Sequence, residues 1–225
     1  MRMPICTEQE LLAFMRETAY KPMTYQELEK HWGVADADEF KSFLRLLNEM
    51  EQDGKILRTR SERYGVPERM NLLRGRLQVH AKGFAFLLPD ETDHPDVYIH
   101  ANDLKGAMNG DTALVRVTSK HDGNRLEGEI VRIVKRAVTQ VVGLFHHHES
   151  FGIVVPDDKR IHKDIFIKPE NSKGAVTGQK VVADIVRYPE GRSAAEGVVV
   201  DVLGHKDDPG GDILGIIRQH GLLDA

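Results

Sequence analysis

A single cysteine, Cys6, is all the thiol chemistry this 225-residue chain has. An internal disulfide and a cysteine-based zinc site are both excluded, which fits the reducing cytosol. No apolar run approaches 18 residues, so the sequence offers no membrane-spanning helix. The opening Met1-Arg2-Met3-Pro4 lacks the apolar centre of a signal peptide. No His/Glu metal motif at helical spacing, phosphate-cradling glycine loop or nucleophile elbow is found. Net positive charge is missing too: the formal charge is −4.

What remains is ordinary for a folded protein. Apolar residues make up 40% and charged residues 29%, over a length that suits two or three small domains. The acidic average conceals a basic run. Lys55, Arg58, Arg60, Arg63, Arg69, Arg74 and Arg76 stand against Glu62 and Glu68, a local excess of +5. Binding to a polyanion depends on where charge lies, not on its sum.

The first third reads as helices. Thr7 with Glu10 and Thr24 with Glu27 are capping boxes, and Asp36 with Glu39 opens a third helix. The first stripe is Leu11, Leu12, Met15 and Ala19. The second is Tyr25, Leu28 and Trp32, ended by Gly33. The third is Phe40, Phe43, Leu44, Leu47 and Met50, ended by Gly54. Residues 55–67 then read as a hairpin. Three short helices and a basic hairpin predict a winged helix-turn-helix domain over 1–67, with Arg58, Arg60 and Arg63 on phosphates. The third helix carries Lys41 and Arg45 among several acids, which is poor for reading a DNA major groove. Holding RNA or contacting a partner suits it better.

An internal repeat follows. Asp96–Val117 aligns without gaps on Asp164–Ile185, matching at Asp96/Asp164, Ile99/Ile167, Lys105/Lys173, Gly106/Gly174, Ala107/Ala175 and Gly110/Gly178. Phe84–Asp90 corresponds to Phe151–Asp157. Each copy offers five strand-like stretches: near 75–80, 84–88, 96–100, 112–117 and 127–134, then near 140–146, 151–155, 164–168, 180–187 and 196–203. Five short strands in about 65 residues suit a small closed barrel of the oligonucleotide-binding type. The predicted fold is therefore multidomain, α+β and then all-β: a winged helix over 1–67, and two five-stranded OB-fold, cold-shock-like barrels over 68–137 and 138–204. A linker and the start of a further domain are expected over 205–225, with a helix from Asp212 to Gly221.

Lys82-Gly83-Phe84-Ala85-Phe86-Leu87 and Val97-Tyr98-Ile99-His100 carry the functional signal. Alternate residues of a strand share a face, so Phe84 pairs with Phe86 and Tyr98 with His100. Small, apolar Ala85 leaves the opposite face to supply the core. Exposed rings of this kind stack unpaired bases, at roughly 1–3 kcal/mol each, with Lys82 beside them for a phosphate. Gly83 leaves room for close backbone approach. The second copy keeps Phe151 and Phe166 but has Ile153 for the second ring and Lys168 for the histidine, so it would lean on charge through Lys168, Lys163 and Arg160. His146-His147-His148 cannot all face one ion from a strand, and reads as incidental surface histidine. Asp90, Glu91, Asp93 and Asp96 read as a turn, not a Mg²⁺ site.

These two stretches resemble the paired nucleic-acid-binding motifs of cold-shock domains, with Ala85 and Tyr98 as departures. The order of parts, together with Asp207-Asp208-Pro209-Gly210 and Gln219-His220-Gly221, resembles the N-terminal region of the ribonuclease II family of exoribonucleases, in its ribonuclease R branch. The resemblance implies a processive 3′-to-5′ exoribonuclease, with Mg²⁺ held by aspartates of a nuclease domain that follows the barrels. None of those aspartates has a position in this chain to be carried to. It also implies single-stranded and structured RNA as ligands, RNA-decay or ribosome-associated partners, and the cytoplasm. A stand-alone cold-shock-like RNA chaperone and a winged-helix DNA repressor are the alternatives.

Overall fold

The computed structural model describes residues 4–121 and 125–205. The expected linker and helix over 205–225, beyond His205, and Asp122-Gly123-Asn124, whose residue types predict a turn, lie outside the described residues. Packing divides the chain into two units. One holds Met1–Arg76, Leu87–Tyr98 and Thr112–Lys135; the other holds Leu77–Phe86, Ile99–Asp111 and the residues from Arg136 on.

Both capping boxes form. Thr7 Oγ1 accepts from Glu10 N at 3.1 Å to open α1 (Glu8–Arg16). After β1 (Met23–Thr24), Thr24 Oγ1 accepts from Glu27 N at 3.3 Å to open α2 (Tyr25–Trp32). Gly33 ends α2 in the left-handed region at φ +67°, where glycine carries no Cβ penalty. Asp36 caps α3 (Ala37–Gln52). β2 (Leu57–Arg58) and β3 (Arg63–Gly65) form the expected hairpin, and β1 joins it in a sheet ordered β1-β3-β2.

Leu11, Met15, Leu28, Phe43, Leu47, Met50 and Ile56 are buried together in this module. Each contributes on the order of 1.5–3 kcal/mol of burial. Two stripe residues depart from expectation. Ala19 lies beyond the end of α1 and is exposed; Tyr20 fills the core instead, its hydroxyl donating to Tyr64 O. Phe40 is 40% exposed and meets Tyr25 edge-on at 5.5 Å.

Helix α3 has no basic residue in its last turn, so its C-terminal carbonyls need cations from elsewhere. Arg74 Nε donates to Asp53 O at 2.6 Å, and Arg132 Nη2 reaches Glu51 O and Gln52 O at 3.4 Å. Residues 66–76 are not a simple linker. Pro67–Met70 forms a 3-10 turn, and the first barrel strand begins at Leu72.

Two closed five-stranded barrels follow. The first is β4 (Leu72–Val79), β5 (Ala85–Pro89), β6 (Val97–Ile99), β7 (Thr112–His121) and β8 (Arg125–Lys135), in the order β4-β5-β6-β8-β7. The second is β9 (Gln140–His147), β10 (Gly152–Pro156), β11 (Ile165–Ile167), β12 (Gln179–Arg187) and β13 (Ala195–His205), closed in the equivalent order. The strand bounds move by a few residues from those expected, most at β7, which runs to His121.

The repeat extends into backbone detail. Lys105 and Lys173 sit at φ +50° and +49°, an uncommon conformation for a side-chain-bearing residue. Gly110 N donates to Leu77 O, and Gly178 N to Phe145 O, at 2.8 and 3.0 Å. A Cβ at Gly75 would strike Leu88 O, and one at Gly143 would strike Val155 O, so both strands need glycine where a neighbour's backbone passes close.

Candidate nucleic-acid interface

Along β5 and the residue just before it the alternation is clean. Ala85 and Leu87 are fully buried, while Phe84 and Phe86 are half-buried on the other face. On β6, Val97 and Ile99 are fully buried and Tyr98 is half-buried; His100, just past the strand, is exposed and its Nδ1 accepts from Asn102 N at 3.1 Å. The core is thus filled without the rings. Phe84 and Phe86 meet edge-to-face, centroids 6.0 Å apart at 89°. This geometry is favourable for paired aromatics. Lys82 is exposed at the turn preceding Phe84.

Gly83 needs a different reason from the expected one. An added Cβ would make ordinary contact at 3.6 Å from Ala101 Cβ, so space is not the constraint. Its φ of +102° is, because Gly83 N closes the turn onto His80 O at 2.9 Å.

Three residues outside the expected set contact these rings or their counterparts in the second barrel. The His80 ring stacks on Phe84, centroids 4.6 Å apart and 7° from parallel. Arg125 lays its guanidinium 3.6 Å above the Tyr98 ring, a cation–π contact that covers one face of that tyrosine. His148 stacks on Phe151 at 5.0 Å and 17°. His80 was legible in principle, since it and Phe84 flank a tight turn. Nothing in the local sequence pairs Arg125 with Tyr98.

In the second barrel Phe151 and Phe166 pack ring to ring at 5.2 Å, with Ile153 opposite Phe166 in register. Two of the cations expected to serve a phosphate have acidic partners in their own barrel. Lys168 Nζ lies 3.3 Å from Glu196, and Arg160 forms two contacts of 3.0 and 2.8 Å with Asp158. The Asp158 hydrogen bonds raise the Arg160 pKa further. Lys163 is exposed.

The basic run beginning at Lys55 is corrected in the same sense. Acids outside the window meet most of its charge: Lys55 with Glu8 at 2.5 Å, Arg58 with Glu51 at 3.5 Å, Arg63 with Glu27 at 3.4 Å and Arg74 with Asp90 at 2.6 Å. Arg69 donates to Glu17 O and Tyr20 O, both at 2.8 Å. Arg60 is exposed on the hairpin. The +5 excess is a property of the sequence window, not of the folded surface.

Among the described residues, no group of three or more His, Cys, Asp or Glu side chains is placed to hold a metal ion. Those described residues do not assemble the ligands of a Mg²⁺ centre. Among the same residues no helix is long and apolar enough to cross a membrane.

Residues 75–133 match the family described as the ribonuclease B OB domain, and residues 153–225 match a cold shock domain. Ribonuclease R of Acidithiobacillus ferrooxidans is 33% identical over 221 residues, covering 97% of this chain and 50% of the relative. Ribonuclease R of Escherichia coli K12 is 32% identical over 200 residues, covering 89% of this chain and 24% of the relative. The chain thus spans between about a quarter and a half of the length of these relatives. Among solved structures, Mycoplasma genitalium RNase R in complex with ribose-methylated single-stranded RNA superposes with a TM-score of 0.59 at 25% identity, over 64% of this chain and 23% of that one. Yeast Ssd1, a pseudonuclease, shares the fold with a TM-score of 0.59 at 20% identity, over 69% of this chain and 25% of that one.

Proposed function

Because this chain belongs to the ribonuclease R family over the residues it spans, we propose that it is the N-terminal, RNA-capturing part of a processive 3′-to-5′ exoribonuclease. Single-stranded RNA lies on the outer face of the first barrel. Phe84 and Phe86 stack bases, Tyr98 under Arg125 offers a further flat surface, and His100 and Lys82 hold the backbone. Phe151, Phe166, Lys168 and Lys163 extend the contact on the second barrel. Captured RNA passes to a nuclease region, and holding the single-stranded part helps to open structured RNA. Mg²⁺ and the bond-breaking residues belong to that nuclease region. The module before the barrels is read as a winged helix. Of its expected phosphate-contacting arginines, Arg60 keeps that role, and Arg58 and Arg63 are assigned to holding the module together. The lone, buried Cys6 fits a cytoplasmic setting.

The observation that carries this reading is the outward placement of Phe84 and Phe86 over a core already filled by Ala85 and Leu87. Supporting it, a relative of the same fold at 25% identity is described in complex with single-stranded RNA. The test is to incubate the 225-residue chain with labelled oligo(A) and Mg²⁺. The expected result is saturable binding with the oligonucleotide intact. No binding, or shortening of the oligonucleotide, contradicts the proposal.

A further inference from the structure

We propose, building on the base-stacking reading above, that each barrel carries a base-stacking histidine, His80 in the first and His148 in the second. The two sites have one construction. His80 N donates to Phe84 O at 2.8 Å, and His148 N donates to Phe151 O at 2.8 Å, closing a tight turn in each copy. The hairpin bond brings the flanking side chains together, and each imidazole lies nearly flat on the phenyl ring across the turn, at 4.6 Å and 7° in one copy and 5.0 Å and 17° in the other. Both histidines are exposed, whereas both phenylalanines are half-buried. A base approaching either ladder of rings meets the imidazole first. The ring clusters are therefore His80 stacked on Phe84 with Phe86 edge-on in the first barrel, and His148 stacked on Phe151 with Phe166 tilted against it in the second.

The ring nitrogens of His80 support a contact role. His80 Nδ1 accepts from Lys82 N at 3.1 Å, which fixes the tautomer with hydrogen on Nε2. Such a ring offers a flat face to a base and an N–H to a base carbonyl or phosphate oxygen. Position separates His148 from a merely incidental run of histidines: His146 and His147 lie in β9, while His148 lies beyond its end, over Phe151. The ligand is single-stranded RNA of no fixed sequence, because every base presents a stacking face.

Replace His80 and His148 separately by alanine, asparagine and tyrosine in the 225-residue chain. Titrate each variant into oligo(A) containing 2-aminopurine, whose fluorescence reports stacking, and follow anisotropy in parallel. Include Phe84→Ala as a comparator, and check folding by circular dichroism. The alanine and asparagine variants are expected to weaken binding at least about fivefold, and tyrosine to restore it. Asparagine tests the ring specifically, since it keeps a polar side chain able to bond in the turn. If Phe84→Ala weakens binding while His80→Ala and His80→Asn leave it unchanged, the role of His80 is overturned and the function proposed above stands. The same outcome for His148 overturns the site in the second barrel. If Phe84→Ala is also without effect, the base-stacking reading itself is overturned.

Discussion

Replacing Asp111 by alanine tests how the end of the first barrel is held. Asp111 is fully buried. Its Oδ2 accepts from Met108 N at 2.8 Å and from Arg136 Nη1 at 3.2 Å, and its Oδ1 accepts from Ala137 N at 2.9 Å. Alanine removes both acceptor oxygens and with them all three hydrogen bonds. An N–H left without a partner costs about 1–3 kcal/mol where it is buried, as at Met108, and less at Ala137, whose bond is part-buried. Arg136 stays 22% exposed, still donates to Gly106 O and lies over the Tyr188 ring, so its own loss falls at the low end. The sum is roughly 3–5 kcal/mol, within the range for breaking a buried ion pair. Several modules are joined in this chain, so a single unfolding midpoint is not the right observable. Hydrogen exchange by mass spectrometry resolves the barrel directly. Peptides from β4 and β7 are expected to lose protection by about two to three orders of magnitude. Asp111→Gln should lose less. Gln179 holds the equivalent place in the second copy, where its Oε1 accepts from Val176 N at 2.9 Å. A change of less than tenfold in Asp111→Ala would refute the network as an anchor.

Other predictions follow from single features. The Cys6 thiol is 3% exposed, and burial, with Glu10 adding to it, pushes its pKa up to about 11; Ellman's reagent at pH 8 should label it only after denaturant unfolds the N-terminal module. Gly143→Ala should cost about 2–4 kcal/mol because its methyl meets Val155 O, whereas Gly174→Ala, with open space around it and φ +70°, should cost about 1 kcal/mol; urea titrations of both report the difference. If Lys82, Arg60 and Lys163 each neutralise one phosphate, the log–log salt slope for oligo(A) is about −2, and raising salt tenfold should weaken binding roughly a hundredfold. A slope near zero would remove the phosphate contacts.

Local signals carried much of the architecture. The two threonine capping boxes and the glycine that ends α2 act within one turn of helix, so tertiary packing does not override them. The repeat was legible because positions such as Gly110 and Gly178, at φ +83° and +94°, admit few alternatives. The alternation of Phe84 and Phe86 with Ala85 and Leu87 likewise foretold which face of β5 turns outward. Pairings across long separations were not legible. The partners of Lys55, Arg63 and Arg74 lie 47, 36 and 16 residues away, and no window of sequence joins them. Tyr20 entered the core in place of Ala19 because α1 ends at Arg16 and the chain turns before the helical period can continue. The tilt of Arg125 over Tyr98 depends on how two strands meet, which periodicity does not encode.

The claim beneath all of this is that rings on the outer face of the first barrel receive nucleobases. The most direct measurement is the affinity of the Phe84→Ala/Phe86→Ala variant for fluorescein-labelled oligo(A), by anisotropy at fixed salt. Both rings stand outside a core filled by Ala85 and Leu87, so the circular dichroism spectrum should hold while binding weakens by about thirtyfold or more. A folded double variant that binds as tightly as the unaltered chain would contradict the account.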